Sequence, residues 1–305
     1  MRLAFSTSWN ARRHRNGVAL GEELARLGLN PIELGHGLTV AQLEGILRVV
    51  DRGDLQITSV HNFCPHPIEV QVPSPDCYEF TSHREADRRR AIKLTRDTIA
   101  LAERVGAKRV VVHGGCARTM QTYRKALDLL HEGHFLDKTY GKLKVTHTRE
   151  REARGPALLA RLESALRELL PAAEAAGVTL CLENRERPED VPSERELPSF
   201  VEKFETAFLR IWHDFGHARI KENLAFLDHR AFLRSVAHLL AGCHLHDVCW
   251  PNEDHLPPGA GSIDFDNLLP LLQPDAYLVF ELRPSVTEDA VLAAWAAWKS
   301  RLGCE

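Results

Sequence analysis

VTLCLEN (178–184), FLRIWHDFGH (208–217), LAGCHLHD (240–247) and AYLVFEL (276–282) decide the fold. Each is an apolar run of strand length, and each ends in an acid or an imidazole: Glu183, Asp214 with His217, His244, and Glu281. Helical or amphipathic sequence separates each run from the next. Strands that repeatedly deliver functional groups at their C-terminal ends, with helices between, describe a (β/α) barrel whose site lies on the C-terminal face. Upstream, KRVVVHGG (108–115) ends at His113 and ITSVHN (57–62) at His61 in the same manner. Residues 3–7 and NPIELG (30–35), which carries Glu33, bring the strands to eight.

The intervening segments read as helices. GVALGEELARLGL (17–29) and TVAQLEGILRVVDRG (39–53) have apolar residues at helical spacing, and the second ends in glycine. A long helix over 84–107 stops at Gly106, and FDNLLPLLQ (265–273) and SVTEDAVLAAWAAWKSRL (285–302) supply the last two major helices. The proline-rich stretch 62–80 predicts a long loop over the barrel mouth. Residues 118–154 are polar, basic and longer than an ordinary barrel connection. They read as a helical insertion after strand four that either lines the site or is a plain surface hairpin, with a regular helix resuming at 155–177. No linker divides the chain, so the expectation is an α/β protein, a single (β/α)8 barrel over 1–305.

Composition narrows the function. The chain has 305 residues, 44% hydrophobic and 27% charged, as in an ordinary soluble globular protein. A net charge of −3 gives no general pull toward nucleic acid. The N-terminal apolar run is too short for a signal peptide, and no apolar run approaches the ~20 residues of a membrane helix. Seven cysteines without a CxxC pair argue against a disulfide framework and for a reducing, cytoplasmic setting.

The order His61, His113, Glu183, Asp214-Phe-Gly-His217, His244-Leu-His-Asp247, HLPPGAGSIDF (255–265), Glu281 resembles the xylose-isomerase-like barrel superfamily. That group holds sugar and sugar-phosphate isomerases and epimerases together with the three-zinc apurinic endonucleases, and the resemblance covers nearly the whole chain outside the insertion. The resemblance to the epimerase branch implies one divalent ion (Mn, Zn, Co or Mg) held by Glu183, Asp214, His244 and Glu281. Hard and borderline donors of this kind suit such ions. It implies a reaction in which Glu183 and Glu281 move protons beside a substrate carbonyl, through an enediolate. His61, His113, His217, Glu189 and His246 are expected to contact a small carbohydrate, with His246 either there or behind the ligands. Asp247 is a candidate to orient an imidazole, and Glu33 either approaches substrate or forms a structural ion pair. Trp9, Phe63 and Trp250 are candidates for an apolar pocket wall or for plain core.

The endonuclease branch implies a different set. There His61, His113, His217, Glu253 and His255 are additional metal ligands, and the chain is a multi-zinc hydrolase of a phosphodiester. The alternative for His61, His113 and His255 is binding to substrate hydroxyls or phosphate, as neutral imidazole both donates and accepts. DFGH in place of the endonuclease-like DTCH counts against a DNA substrate. Dehydratases and a non-catalytic, metabolite-sensing barrel are further readings. A homo-oligomer is expected by analogy, and neither nucleic acid nor membrane is an expected partner.

Overall fold

The computed structural model describes residues 1–118 and 120–303. Eight parallel strands close a barrel: β1 (Arg2–Ser6), β2 (Ile32–Leu34), β3 (Ile57–His61), β4 (Arg109–Val112), β5 (Thr179–Glu183), β6 (Leu209–Asp214), β7 (Leu240–Leu245) and β10 (Tyr277–Phe280). The chain order is kept around the barrel, and β1 pairs with β10 to shut it. Between β7 and β10, the strands β8 (Asp247–Cys249) and β9 (Glu253–Leu256) form a small antiparallel ribbon. This is the (β/α)8 barrel the strand pattern predicts.

Helices follow the strands: α1 (Gly17–Arg26), α2 (Val40–Asp51), α3 (Glu85–Arg104), α4 (Thr122–His131), α5 (Lys138–Ala175), α6 (Leu197–Glu202), α7 (Phe215–Asn223), α8 (His229–Val236), α9 (Phe265–Leu268) and α10 (Glu288–Leu302). The α2 start carries a full capping box between Thr39 and Gln42. No helix among the described residues is long and apolar enough to cross a membrane.

Two expectations need correcting. The insertion and the helix after it are not separate: α4 is followed by one 38-residue helix, α5, which runs through Pro156 and Pro171. Tertiary contacts hold its first half. Tyr140 is buried and donates to the Leu224 carbonyl at 2.9 Å, and Arg151 pairs with Glu196 at 2.5 Å. Residues 265–273 do not form a major helix either. Helix α9 has 4 residues and passes into a 3-10 turn at Leu269–Leu271, where Pro270 has no N–H to continue the ladder.

The core has two parts. A large apolar shell lies between barrel and helices, and a separate cluster of Ala4, Val111, Cys181, Trp212 and Val279 fills the barrel interior. Trp212 fits because β7 has Gly242 opposite, where a Cβ would lie 2.3 Å from the indole.

Candidate active site

Side chains alternate along a strand, so a residue two positions after an inward apolar group also points inward, one step nearer the mouth. Glu183, Asp214, His244 and Glu281 follow Cys181, Trp212, Gly242 and Val279 in this way. They converge. His244 Nδ1 lies 3.2 Å from Glu183 Oε1, 3.3 Å from Glu281 Oε2 and 3.6 Å from Asp214 Oδ2. All four are buried.

Burial pushes the Glu183 carboxyl up, but the His244 and His113 imidazoles outweigh it and hold it well below its ordinary value. Glu281 is likewise held at about 2: burial raises it, and His244 and His255 bring it down. None of Glu183, Asp214 and Glu281 makes an ion pair with Lys or Arg among the described residues. The obvious candidates go elsewhere. Arg185 pairs with Glu186 and Asp76, and Arg283 with Glu253 at 2.8 Å. Three buried carboxylates thus gather at one imidazole nitrogen with no Lys or Arg paired to them among the described residues. The donor set is one that Mn²⁺, Co²⁺, Mg²⁺ or Zn²⁺ accepts.

The remaining histidines ring this centre. His61 Nε2 is 3.4 Å and His113 Nε2 3.0 Å from Glu183 Oε2. The same His113 Nε2 lies 2.5 Å from Arg185 Nη1, and His113 Nδ1 meets Asp76 Oδ1 at 2.7 Å. His217 stands on the first turn of α7, where Asp214 caps the helix by accepting its backbone N–H at 2.7 Å. Burial presses the His217 imidazole down, but Asp214 and Glu183 lift it to about 10.

His246 accepts the His255 backbone N–H at Nδ1 (3.0 Å), so its Nε2–H is the donor to Asp214. It therefore braces a candidate ligand. Gly216 makes room for it: a Cβ there would lie 1.9 Å from the His246 ring. Asp247 does not orient an imidazole. It accepts from the backbone of Val248, Gly259 and Ile263 and ties the turn after β9.

Some predicted residues lie apart. Glu253 turns outward to Arg283, and the next residue, Asp254, points the other way and groups with His217 and His255, whose left-handed φ of 52° breaks the strand alternation. Glu189 accepts the Tyr123 N–H at 3.0 Å and lines a cavity of about 570 Å³ with Asp76, Arg118, Gln121, Tyr123 and Arg187. Trp9 is fully buried and Phe63 nearly so, whereas Trp250 is half exposed and packs on Phe135.

Besides Asp254, two residues were missed. His36, on the loop after β2, brings its ring to 5.1 Å from His61 and groups with His61 and Glu281, and its buried Nδ1 has no hydrogen-bond partner. Burial, and then His61, push its imidazole down to about 3, so it is neutral. The GHG tripeptide after a strand was the available signal. Asp76 sits in the proline-rich loop, with no local pattern to mark it.

Comparison with known proteins agrees with the architecture. Over 267 residues the chain is 23% identical to an uncharacterized protein of Methanocaldococcus jannaschii, covering 88% of this chain and 86% of the relative. Among solved structures it is similar to a D-tagatose 3-epimerase-like protein (TM-score 0.71, 18% identity, 99% and 97% of the two chains). It is also similar to a putative xylose isomerase from Rhodospirillum rubrum (0.71, 16%, 99% and 98%) and to an L-ribulose 3-epimerase (0.65, 20%, 99% and 94%). At these identities the likeness is one of fold. A family model for xylose isomerase-like TIM barrels matches residues 22–298, from β2 through β10, and the chain belongs to that family.

Proposed function

We propose that this protein is a divalent-metal-dependent isomerase or epimerase acting on a sugar, a sugar phosphate or a similar polyhydroxylated ketone. The observation that carries this reading is the convergence of Glu183, Asp214 and Glu281 on His244 Nδ1. Those four residues would hold the ion, which when bound polarises a carbonyl and its neighbouring hydroxyl. Glu183 and Glu281 are the pair that takes and returns a proton at the adjacent carbon. Both are held ionised, so either can accept a proton; the one that has accepted it is the acid that returns it, and return on the opposite face requires the other to take a proton from a substrate hydroxyl first. His61 and His217 lie beside Glu183 and are the groups to grip substrate oxygens.

The adjoining cavity supports a polyol substrate. It borders the centre through Asp76, which holds His113, and its walls mix arginine, amide, phenol and carboxylate groups. The fold relatives named for D-tagatose and L-ribulose epimerisation support the same class.

A second reading, a multi-zinc phosphodiester hydrolase, draws on two further groupings of ligand atoms: His61, His113 and Glu183, and His217, Asp254 and His255. Arg185 argues for the first reading, because its guanidinium stands 2.5 Å from His113 Nε2, where a second ion would have to bind. The experiment is solvent-deuterium exchange over a panel of ketoses and ketose phosphates, beside a phosphodiester assay and a count of metal ions per chain. Glu183→Gln and Glu281→Gln are expected to reduce exchange ~10²–10⁴-fold. The isomerase reading is sunk if no carbohydrate exchanges while a phosphodiester is cleaved in a zinc-dependent way.

A further inference from the structure

Glu33 on β2 stands in register with Ser6 on β1 and Ser59 on β3, both small hydroxyl residues. Glu33 is a fully buried acid, and no Lys or Arg pairs with it among the described residues. Burying a carboxylate without a partner is costly, so its contacts should reveal its use.

There are two. Ser59, its register partner on β3, donates Oγ–H to Glu33 Oε2 at 2.8 Å. Across the barrel, His244 Nε2 lies 3.1 Å from Oε1 and 3.4 Å from Oε2. The imidazole is thus gripped from both sides. Three carboxylates gather at Nδ1, and Glu33 alone faces Nε2. An ionised carboxylate has no hydrogen to offer, so the contact is a hydrogen bond only if Nε2 carries the proton. That tautomer leaves the Nδ1 lone pair aimed at Glu183, Asp214 and Glu281. A histidine that binds a metal through one nitrogen characteristically donates from the other to a carboxylate, which fixes its tautomer and orientation and raises its basicity.

We propose that Glu33 is a positioning residue that, anchored by Ser59, fixes the His244 tautomer and ring so that Nδ1 serves as a metal ligand. The inference rests on the metal-centre reading above. Of the two sequence expectations for Glu33, substrate contact or a structural ion pair, it is nearer the second, because Glu33 meets His244.

The test is Co²⁺ binding to the purified full-length chain, followed by calorimetry and by the visible absorption of the bound ion. Glu33→Ala should weaken Co²⁺ binding ~10–100-fold. Glu33→Gln should weaken it less, because its amide oxygen still accepts from Nε2–H. Both should move the cobalt absorption bands, which a merely structural role would leave in place. Ser59→Ala should show a smaller loss in the same direction. Circular dichroism checks that each variant is folded, and Glu33→Gln keeps the shape should Glu33→Ala fail to fold.

His244→Ala separates the two ideas. If it abolishes binding while Glu33→Gln and Ser59→Ala bind and absorb like wild type, the Glu33 inference falls and the metal centre stands. If His244→Ala binds Co²⁺ as wild type does, both fall. A loss on Glu33→Gln as complete as that of His244→Ala would make Glu33 a direct ligand and overturn the positioning role.

Discussion

Ala4, Val111, Cys181, Trp212 and Val279 make a dry plug inside the barrel, whereas the groups two positions later in sequence, Ser6, His113, Glu183, Asp214 and Glu281, make a wholly polar mouth. The two layers share the same strands and differ by one step of side-chain alternation. The plug gives the mouth an apolar floor. Trp212 packs against the His244 ring, 5.3 Å between ring centres, and a low-polarity floor strengthens every charge interaction above it. The plug depends on volume and the mouth on charge, so the two should fail differently.

The largest expected effect falls on the plug. Trp212→Ala should cost about 3–5 kcal/mol, measured by urea denaturation, because the barrel wall cannot collapse into the space left. Gly242→Ala should cost less, about 1–3 kcal/mol, by forcing a methyl against the indole. If Trp212→Ala costs under about 1 kcal/mol, the plug is not a tightly packed layer.

If the mouth holds the proposed divalent ion, it should respond to that ion instead. Metal held at about 100 times its Kd should stabilise the folded state by about 2.7 kcal/mol, and a chelator should remove that increment. Asp214→Asn should abolish most of the increment while leaving the chelated protein near wild-type stability. An equal loss of stability with and without metal would break the division between the layers.

The smallest effect locates acid sensitivity outside both layers. The mouth histidine His217 faces carboxylates, whereas His147 on α5 lies near Arg151 and is pushed down to about 4, by burial first and then by that arginine. A depressed imidazole contributes stability above its unfolded pKa of ~6.5, and that contribution is lost as pH falls toward its folded value. His147→Gln should therefore make the protein less acid-sensitive between about pH 7 and pH 5.5. Discounted for partial exposure, the gain is about 1 kcal/mol. Melting curves at the two pH values give the answer, and an unchanged pH slope refutes it.

The mouth was legible in sequence to the extent that alternation alone determines it. Period-two runs ending in Glu183, Asp214, His244 and Glu281 indicate both the strand and the face. What sequence could not supply were partners brought together by closure. Glu33 and His244 are 211 positions apart and meet only across the barrel. Asp76 reaches His113 from a loop without periodicity. The choice between Glu253 and Asp254 turned on the phase of a 4-residue strand, which spacing motifs do not fix. Helix α5 was hidden because Gly155 and Pro156 look like a helix start, while the contacts that carry the helix through them, Tyr140 and Arg151, involve residues far along the chain.

Placing plug and mouth on one alternation also protects against misassembly. A strand that slipped by one residue would turn its apolar side chain outward and its ligand with it, so packing and chemistry would be lost together. A barrel that has closed with a dry interior has therefore already set its acids and imidazoles in register. Packing the plug and ordering the mouth are thus one event, and a one-residue slip undoes both.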